Sequence, residues 1–84
     1  MVTIHPYHIS GHQGLKISFS DDSEDEPSLL ICYNSFGDEL MRMKLTGSQH
    51  DIDISKFGTQ IKHIKIESSH SIVLKRILLN DTDE

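Results

Sequence analysis

Apolar and polar residues alternate one by one along several short segments of this chain. In residues 14–20 (GLKISFS), every second residue from Leu15 onward is apolar. Side chains of a β-strand point alternately to its two faces, so this pattern predicts a strand with one buried face. The same alternation recurs over all or part of three more segments, and each predicts a further strand: residues 39–46 (ELMRMKLT), 50–55 (HDIDIS) and 60–68 (QIKHIKIES). Residues 39–46 also fit a short helix, but the tight turns on either side and the neighbouring strands favour a strand.

The composition favours strands over helices. Eleven isoleucines, two valines and four threonines are β-branched, and alanine, the best helix former, is absent. Eighty-four residues form one small domain. We therefore predict a single all-β domain over residues 1–84, a small antiparallel β-sandwich or barrel of jelly-roll type with six to seven short strands.

Three further segments extend this prediction. Residues 28–34 (SLLICYN) are apolar on both faces, so their strand needs cover on both sides. Residues 2–9 are predicted to form one more strand. We expect it at the edge of a sheet, because Pro6 cannot donate a backbone hydrogen bond. Residues 71–79 (SIVLKRILL) change the parity of their apolar positions at Lys75 and Arg76, which predicts a β-bulge there.

Residues 50–80 resemble the closing strands of jelly-roll carbohydrate-binding modules. The order is a short strand (DIDI), a turn (KFG), a second strand (IKHIKIE), a hairpin and a third strand (IVLKRILL). The resemblance implies a jelly-roll-like architecture and carbohydrate as the ligand.

The single cysteine and the short apolar runs bear on location. Cys32 has no partner for an internal disulfide, which is compatible with a reducing compartment. The longest apolar run, residues 29–33, is far shorter than a membrane span, and no signal-peptide pattern opens the chain. We expect a cytoplasmic protein with no membrane association.

Catalytic and metal-binding patterns are weak. His5, His8 and His12 are close in sequence, but positions 5 and 8 point to opposite faces of a strand. Asp51 and Asp53 share a face, as ordinary solvent-facing residues of a strand also do. Phosphate-loop, dinucleotide, zinc-protease and nucleophile-elbow motifs are absent. We expect no enzyme, no metal and no cofactor.

Basic side chains form a predicted stripe. If the methionines of residues 39–46 and the isoleucines of residues 60–68 face the core, the cations between them face outward. The predicted anion-binding stripe consists of Arg42, Lys44, His63, Lys65, Lys75 and Arg76. It suits an acidic ligand better than nucleic acid, since it carries no aromatic residue on which bases could stack.

Two functions follow as expectations. The first is a non-catalytic binding module for carbohydrate. Its predicted ligand contacts are the aromatic residues and two polar neighbours: Tyr7, Tyr33, Asn34, Phe36 and Asp38. The alternative is a protein-interaction or inhibitor domain acting through an acidic loop or its strand edges, and in either case we expect a homo-oligomer, most simply a homodimer.

The acidic loop is predicted to be dispensable for folding. Five of the six residues 21–26 (DDSEDE) are acidic, so they repel one another and offer nothing apolar to bury. Replacing them with a Gly-Ser linker is expected to leave the melting temperature unchanged or higher. A large drop in thermal unfolding experiments would contradict this.

Overall fold

The computed structural model describes residues 2–20, 27–68 and 72–76. Within them, seven strands form two antiparallel sheets, and the predicted all-β architecture is confirmed. The strands are β1 (Val2–Ile9), β2 (His12–Phe19), β3 (Ser28–Tyr33), β4 (Glu39–Leu45), β5 (Gln49–Asp53), β6 (His63–Glu67) and β7 (Ile72–Arg76). Their order is β1-β2-β5 in one sheet and β4-β3-β6-β7 in the other.

One apolar layer lies between the two sheets. Leu15 and Ile17 from the three-stranded sheet and Leu30, Cys32 and Ile64 from the four-stranded sheet are completely buried. These are the alternate positions of their strands, as the sequence pattern predicts. The arrangement is that of a small β-sandwich.

Strand β3 is central in its sheet, between β4 and β6, and is covered on both faces. Leu30 and Cys32 face the core, whereas Ile31 faces outward and is still only 2% exposed. Ile31 is paired in register with Arg42 on β4 and Lys65 on β6. The aliphatic stems of such long side chains can cover an apolar neighbour, so this strand needs no second chain to bury it.

The β1–β2 hairpin has a two-residue turn that sets the register of the three-stranded sheet. Ser10 and Gly11 both have positive φ, 50° and 81°, which is typical of a type I′ turn. Ile9 therefore pairs with His12, and Tyr7 pairs with Gly14. Pro6 lies on β1, which is an edge strand as predicted.

The bulge is not at the predicted place. The β6–β7 register runs without interruption through Lys75 and Arg76, so the expected bulge there is wrong. The register instead shifts between Cys32 and Tyr33, where β4 has Leu40 as an extra residue. Leu40 packs against the core, which gives the bulge a physical reason.

Some predicted features are shorter or lie elsewhere. The strand expected over residues 60–68 is only His63–Glu67, because a 3₁₀ turn, Gly58–Gln60, precedes it. The predicted acidic loop at residues 21–26, the centre of the β6–β7 connection and residues 77–84 lie outside the described residues. In the described part of the chain, no helix is long and apolar enough to cross a membrane.

Burial of one isoleucine in the apolar layer is predicted to control stability. Ile64→Ala is expected to lower the free energy of unfolding by about 2–5 kcal/mol, because it leaves a cavity in the core. Leu74→Ala is the matched control on the neighbouring strand. Leu74 is 71% exposed, so its truncation is expected to change stability by less than about 0.5 kcal/mol. Urea denaturation measures both, and equal losses would contradict the assigned core.

Candidate ligand-binding site

The outer face of the three-stranded sheet collects polar and aromatic side chains from three strands. His5 on β1 pairs in register with Lys16 on β2, and Lys16 pairs with Asp51 on β5. All three residues are exposed. The sheet thus aligns an imidazole, an ammonium group and a carboxylate in one row across its outer surface.

Tyr7 lies across the central strand of this face. Its hydroxyl group donates a hydrogen bond to Oδ1 of Asp51 at 2.6 Å, so the side chain reaches from β1 over β2 to β5. It passes over Gly14, where an added Cβ would lie 2.4 Å from the Tyr7 ring and hydroxyl. Glycine at position 14 is therefore what allows the ring to lie on the sheet.

The Tyr7 ring borders an open depression of about 530 Å³. We call this depression the Tyr7 site; its lining residues are His5, Tyr7, Ile9, His12, Lys16 and Asp51. A second depression, of about 310 Å³, adjoins it along β2 and β5 and shares Lys16 and Asp51. Gln49, which pairs in register with Ser18 on the same outer face, also lines the second depression. An elongated ligand would therefore meet a further polar group there.

The neighbours of the Tyr7 ring leave hydrogen-bonding capacity at the site. The Lys16 ammonium nitrogen lies 5.6 Å from the ring centroid, within reach of a cation–π interaction. The His12 ring centroid is 6.1 Å from that of Tyr7, and the two rings are inclined by 35°. Among the described residues, Lys16 forms no ion pair, so its three N–H donors can reach a ligand.

The hydrogen bond to Asp51 changes the acidity of Tyr7. It raises the pKa of the Tyr7 hydroxyl above its usual value of 10, because ionisation would break the bond and place two negative charges side by side. The folded protein therefore holds this proton more tightly than the unfolded chain. The resulting stabilisation is complete below about pH 10 and is lost as the pH rises through the higher pKa of folded Tyr7.

A serine, a histidine and an aspartate meet beside the site, but without the geometry of a catalytic triad. Ser55 Oγ lies 3.5 Å and Asp53 Oδ1 lies 3.8 Å from the same atom, Nδ1 of His12. A triad uses the two different ring nitrogens. Asp53 also accepts a hydrogen bond from the Ser55 amide at 2.9 Å, which lowers the pKa of that carboxyl. These contacts instead fix the chain at the end of β5.

The histidines of β1 and β2 are divided between two faces. His5 and His12 border the Tyr7 site, whereas His8 belongs to the opposite face of β1, as the strand period predicts. Nδ1 of His8 is buried and has no hydrogen-bond partner among the residues that the structure describes. Among residues 2–20, 27–68 and 72–76, no three His, Cys, Asp or Glu side chains converge as metal ligands.

Burial determines the chemistry of the one cysteine. Cys32 is completely buried between the sheets. Burial raises the pKa of its thiol to about 11, because the thiolate would lose its hydration. At neutral pH the thiol is protonated and acts as a small apolar side chain of the core.

The structure separates the predicted carbohydrate contacts. Tyr7 lies on the three-stranded sheet, and the other four lie at the β3–β4 turn of the four-stranded sheet. Oδ1 of Asn34 accepts hydrogen bonds from the amides of Phe36 and Asp38, each at 2.9 Å. That oxygen therefore shapes the turn, while Phe36 is 87% exposed at its tip. Tyr33 lies beside Lys65, whose ammonium nitrogen is 5.8 Å from its ring centroid, and pairs in register with Glu39 and His63. Tyr7 differs in bordering a depression lined by polar groups from three strands.

The predicted basic stripe is also divided. Lys75 pairs with the buried Ile64 and so belongs to the core-side parity of β7, whereas Arg76 pairs with His63 on the outer face. Five of the six predicted residues share this outer face: Arg42, Lys44, His63, Lys65 and Arg76.

Two of these five basic side chains already have acidic partners. Arg42 donates two hydrogen bonds of 2.8 Å to Glu39, which lower the pKa of that carboxyl. The Lys65 ammonium lies 2.9 Å from the Glu67 carboxylate, and this hydrogen bond raises the pKa of Lys65. The outer face of the four-stranded sheet is thus a mixed-charge surface, and its role in anion binding stays a prediction.

Sequence reasoning missed most of the Tyr7 site. The strand period places His5, Tyr7 and Ile9 on one face, and this signal is present in the sequence. Lys16 and Asp51 join them only through the pairing of β2 with β1 and β5.

Comparisons with protein families, with curated proteins and with solved structures find no match.

The Tyr7–Asp51 hydrogen bond predicts a shift in the tyrosine titration. In a Tyr33→Phe background, Tyr7 is the single tyrosine, and its ionisation can be followed by ultraviolet absorbance. Asp51→Asn is expected to lower the pKa of Tyr7, because the neutral amide no longer opposes the phenolate. Asp53→Asn, which changes charge equally nearby, is expected to lower it less. An unchanged titration in Asp51→Asn would contradict the bond.

Proposed function

We propose that the protein is a non-catalytic binding module that takes carbohydrate at the Tyr7 site. The observation that supports this most is the Tyr7 ring, which is seated over Gly14 and held by Asp51. A ring held at both ends loses little conformational entropy when a ligand stacks on it. Such a ring suits the apolar C–H face of a sugar.

The groups around the ring match the polar rim of a sugar. Asp51 accepts hydrogen bonds from hydroxyl groups, Lys16 donates them, and the imidazoles of His5 and His12 can do either. An open site with one aromatic residue and a few convergent polar groups binds by shape and hydrogen bonding. The adjoining depression shared by Lys16 and Asp51 supports a ligand longer than one sugar unit.

Immobilised neutral and acidic oligosaccharides test this proposal, and calorimetric titration then measures the affinity of those that bind. Tyr7→Ala is expected to weaken binding about tenfold or more, because both the stacking surface and the Asp51 hydrogen bond are lost. Tyr7→Phe keeps the ring and is expected to weaken binding only a few-fold. Phe36→Ala is the matched control, since it removes an exposed aromatic ring from the other sheet.

Gly14→Ala tests the seat of the ring. Position 14 has no positive φ, so the backbone accepts alanine, and the added methyl group displaces Tyr7. We expect binding to fall about as far as in Tyr7→Ala while the circular-dichroism spectrum keeps its β shape. Binding that fails in Phe36→Ala but survives in Tyr7→Ala would place the site at the β3–β4 turn. Absence of binding to all the oligosaccharides would refute the proposal.

A further inference from the structure

The outer edge of the four-stranded sheet presents apolar side chains that the core does not use. Strand β7 is last in the sheet order and, within the described residues, pairs only with β6. Ile72 and Leu74 are 62% and 71% exposed on its outer face. An edge strand with exposed apolar side chains and unpaired backbone groups is a template for another strand.

Positive charge lies at the end of β7, next to Leu74. On β6, the register partners of Ile72 and Leu74 are Glu67 and Lys65, which form an ion pair. Lys75 and Arg76 end β7, and both are exposed. Among the described residues, neither forms an ion pair. Arg76 is next to His63 on β6, so an imidazole lies at the same corner.

We propose that β7 binds an extended acidic peptide of a partner protein as an added strand of the four-stranded sheet. Its main chain would pair with the outer edge of β7. On the outer face, its apolar side chains would lie beside Ile72 and Leu74 and an acidic one beside Arg76. On the other face, an acidic side chain would lie beside Lys75, as the strand period requires.

Charge complementarity favours this occupant over a second copy of the chain. Two β7 strands pairing with each other would bring two Lys75 and two Arg76 side chains into one short ribbon. Cationic side chains at an edge disfavour such self-pairing, and the same cations attract an acidic strand. The outer face of the four-stranded sheet is also poorly suited to a polyanion. Two of its cations, Arg42 and Lys65, are already paired with Glu39 and Glu67.

The test uses the full chain and a fluorescent peptide, Glu-Glu-Val-Thr-Val, that is as long as β7. In antiparallel pairing it places glutamate beside Arg76 and Lys75 and valine beside Leu74 and Ile72. Fluorescence anisotropy is expected to show saturable binding. Two control peptides should bind at least about tenfold more weakly: one with lysine in place of glutamate, and one with a central proline. Hydrogen exchange should slow at the amides of β7 when the acidic peptide is bound and leave those of β1 unchanged.

Matched variants place the site. Lys75→Glu with Arg76→Glu is expected to weaken binding of the acidic peptide at least about tenfold. Lys44→Glu with Lys56→Glu makes the same change in net charge away from β7 and should have little effect. Leu74→Ser should weaken binding, whereas Phe36→Ser removes an even more exposed apolar residue elsewhere and should not. Leu74 is too exposed for its substitution to unfold the domain.

Five outcomes would overturn the proposal. Wild-type protein that does not bind the acidic peptide, or binds the proline peptide equally well, has no strand addition at β7. Salt-dependent binding of heparin, without salt-dependent binding of the acidic peptide, would indicate a polyanion surface. A dimer in sedimentation that Leu74→Ser dissociates would make a second copy the occupant. Loss of peptide binding in Tyr7→Ala would place the peptide at the Tyr7 site instead.

Discussion

Each sheet of this protein has one apolar face, and that face is removed from water only by packing against the apolar face of the other sheet. The chain is small, so a single layer of side chains between the sheets forms the whole core of the described residues. Completely buried Leu15 and Ile17 from one sheet meet Leu30 and Ile64 from the other. This requirement determines which face of every strand is turned inward, and so which side chains remain outside for binding.

The outer faces of the two sheets differ in what covers their central strands. On the three-stranded sheet, Gly14 leaves the central strand without a side chain, and Tyr7 occupies the space and reaches Asp51. On the four-stranded sheet, the central strand carries Ile31 outward, and the register places Arg42 and Lys65 on either side of it. The first face thereby presents an aromatic surface among polar groups. Among the described residues, the second face buries its apolar centre and exposes its large apolar side chains at β7.

Much of the fold was predictable because strand periodicity is a local property. The alternation in residues 14–20 and 50–55 correctly predicted which side chains of β2 and β5 are buried, and Pro6 correctly predicted an edge strand. The predicted bulge at Lys75 and Arg76 was wrong. A change in the parity of apolar positions does not show where the hydrogen-bonded pairing of two strands is interrupted. The true bulge, at Leu40, lies where the turn that follows β3 is joined to β4.

The candidate sites were less predictable because they depend on contacts between distant residues. Alternation could place His5 and Tyr7 on one face, but Tyr7 and Asp51 are 44 residues apart. For the same reason, the sequence did not predict that the basic stripe is divided. The pairing of β7 with β6 places Lys75 on the core-side face of the sheet, away from the other five residues.

The sequence by itself therefore determined the strands and the two faces of each strand, since side-chain direction depends only on the period of two along an extended backbone. The tertiary structure alone decided which strands are neighbours and in what register. Hydrogen-bonded pairing and the burial of one shared core depend on the whole chain at once. The Tyr7 ring over Gly14 and the apolar edge at β7 are consequences of that register, so they exist only in the folded protein.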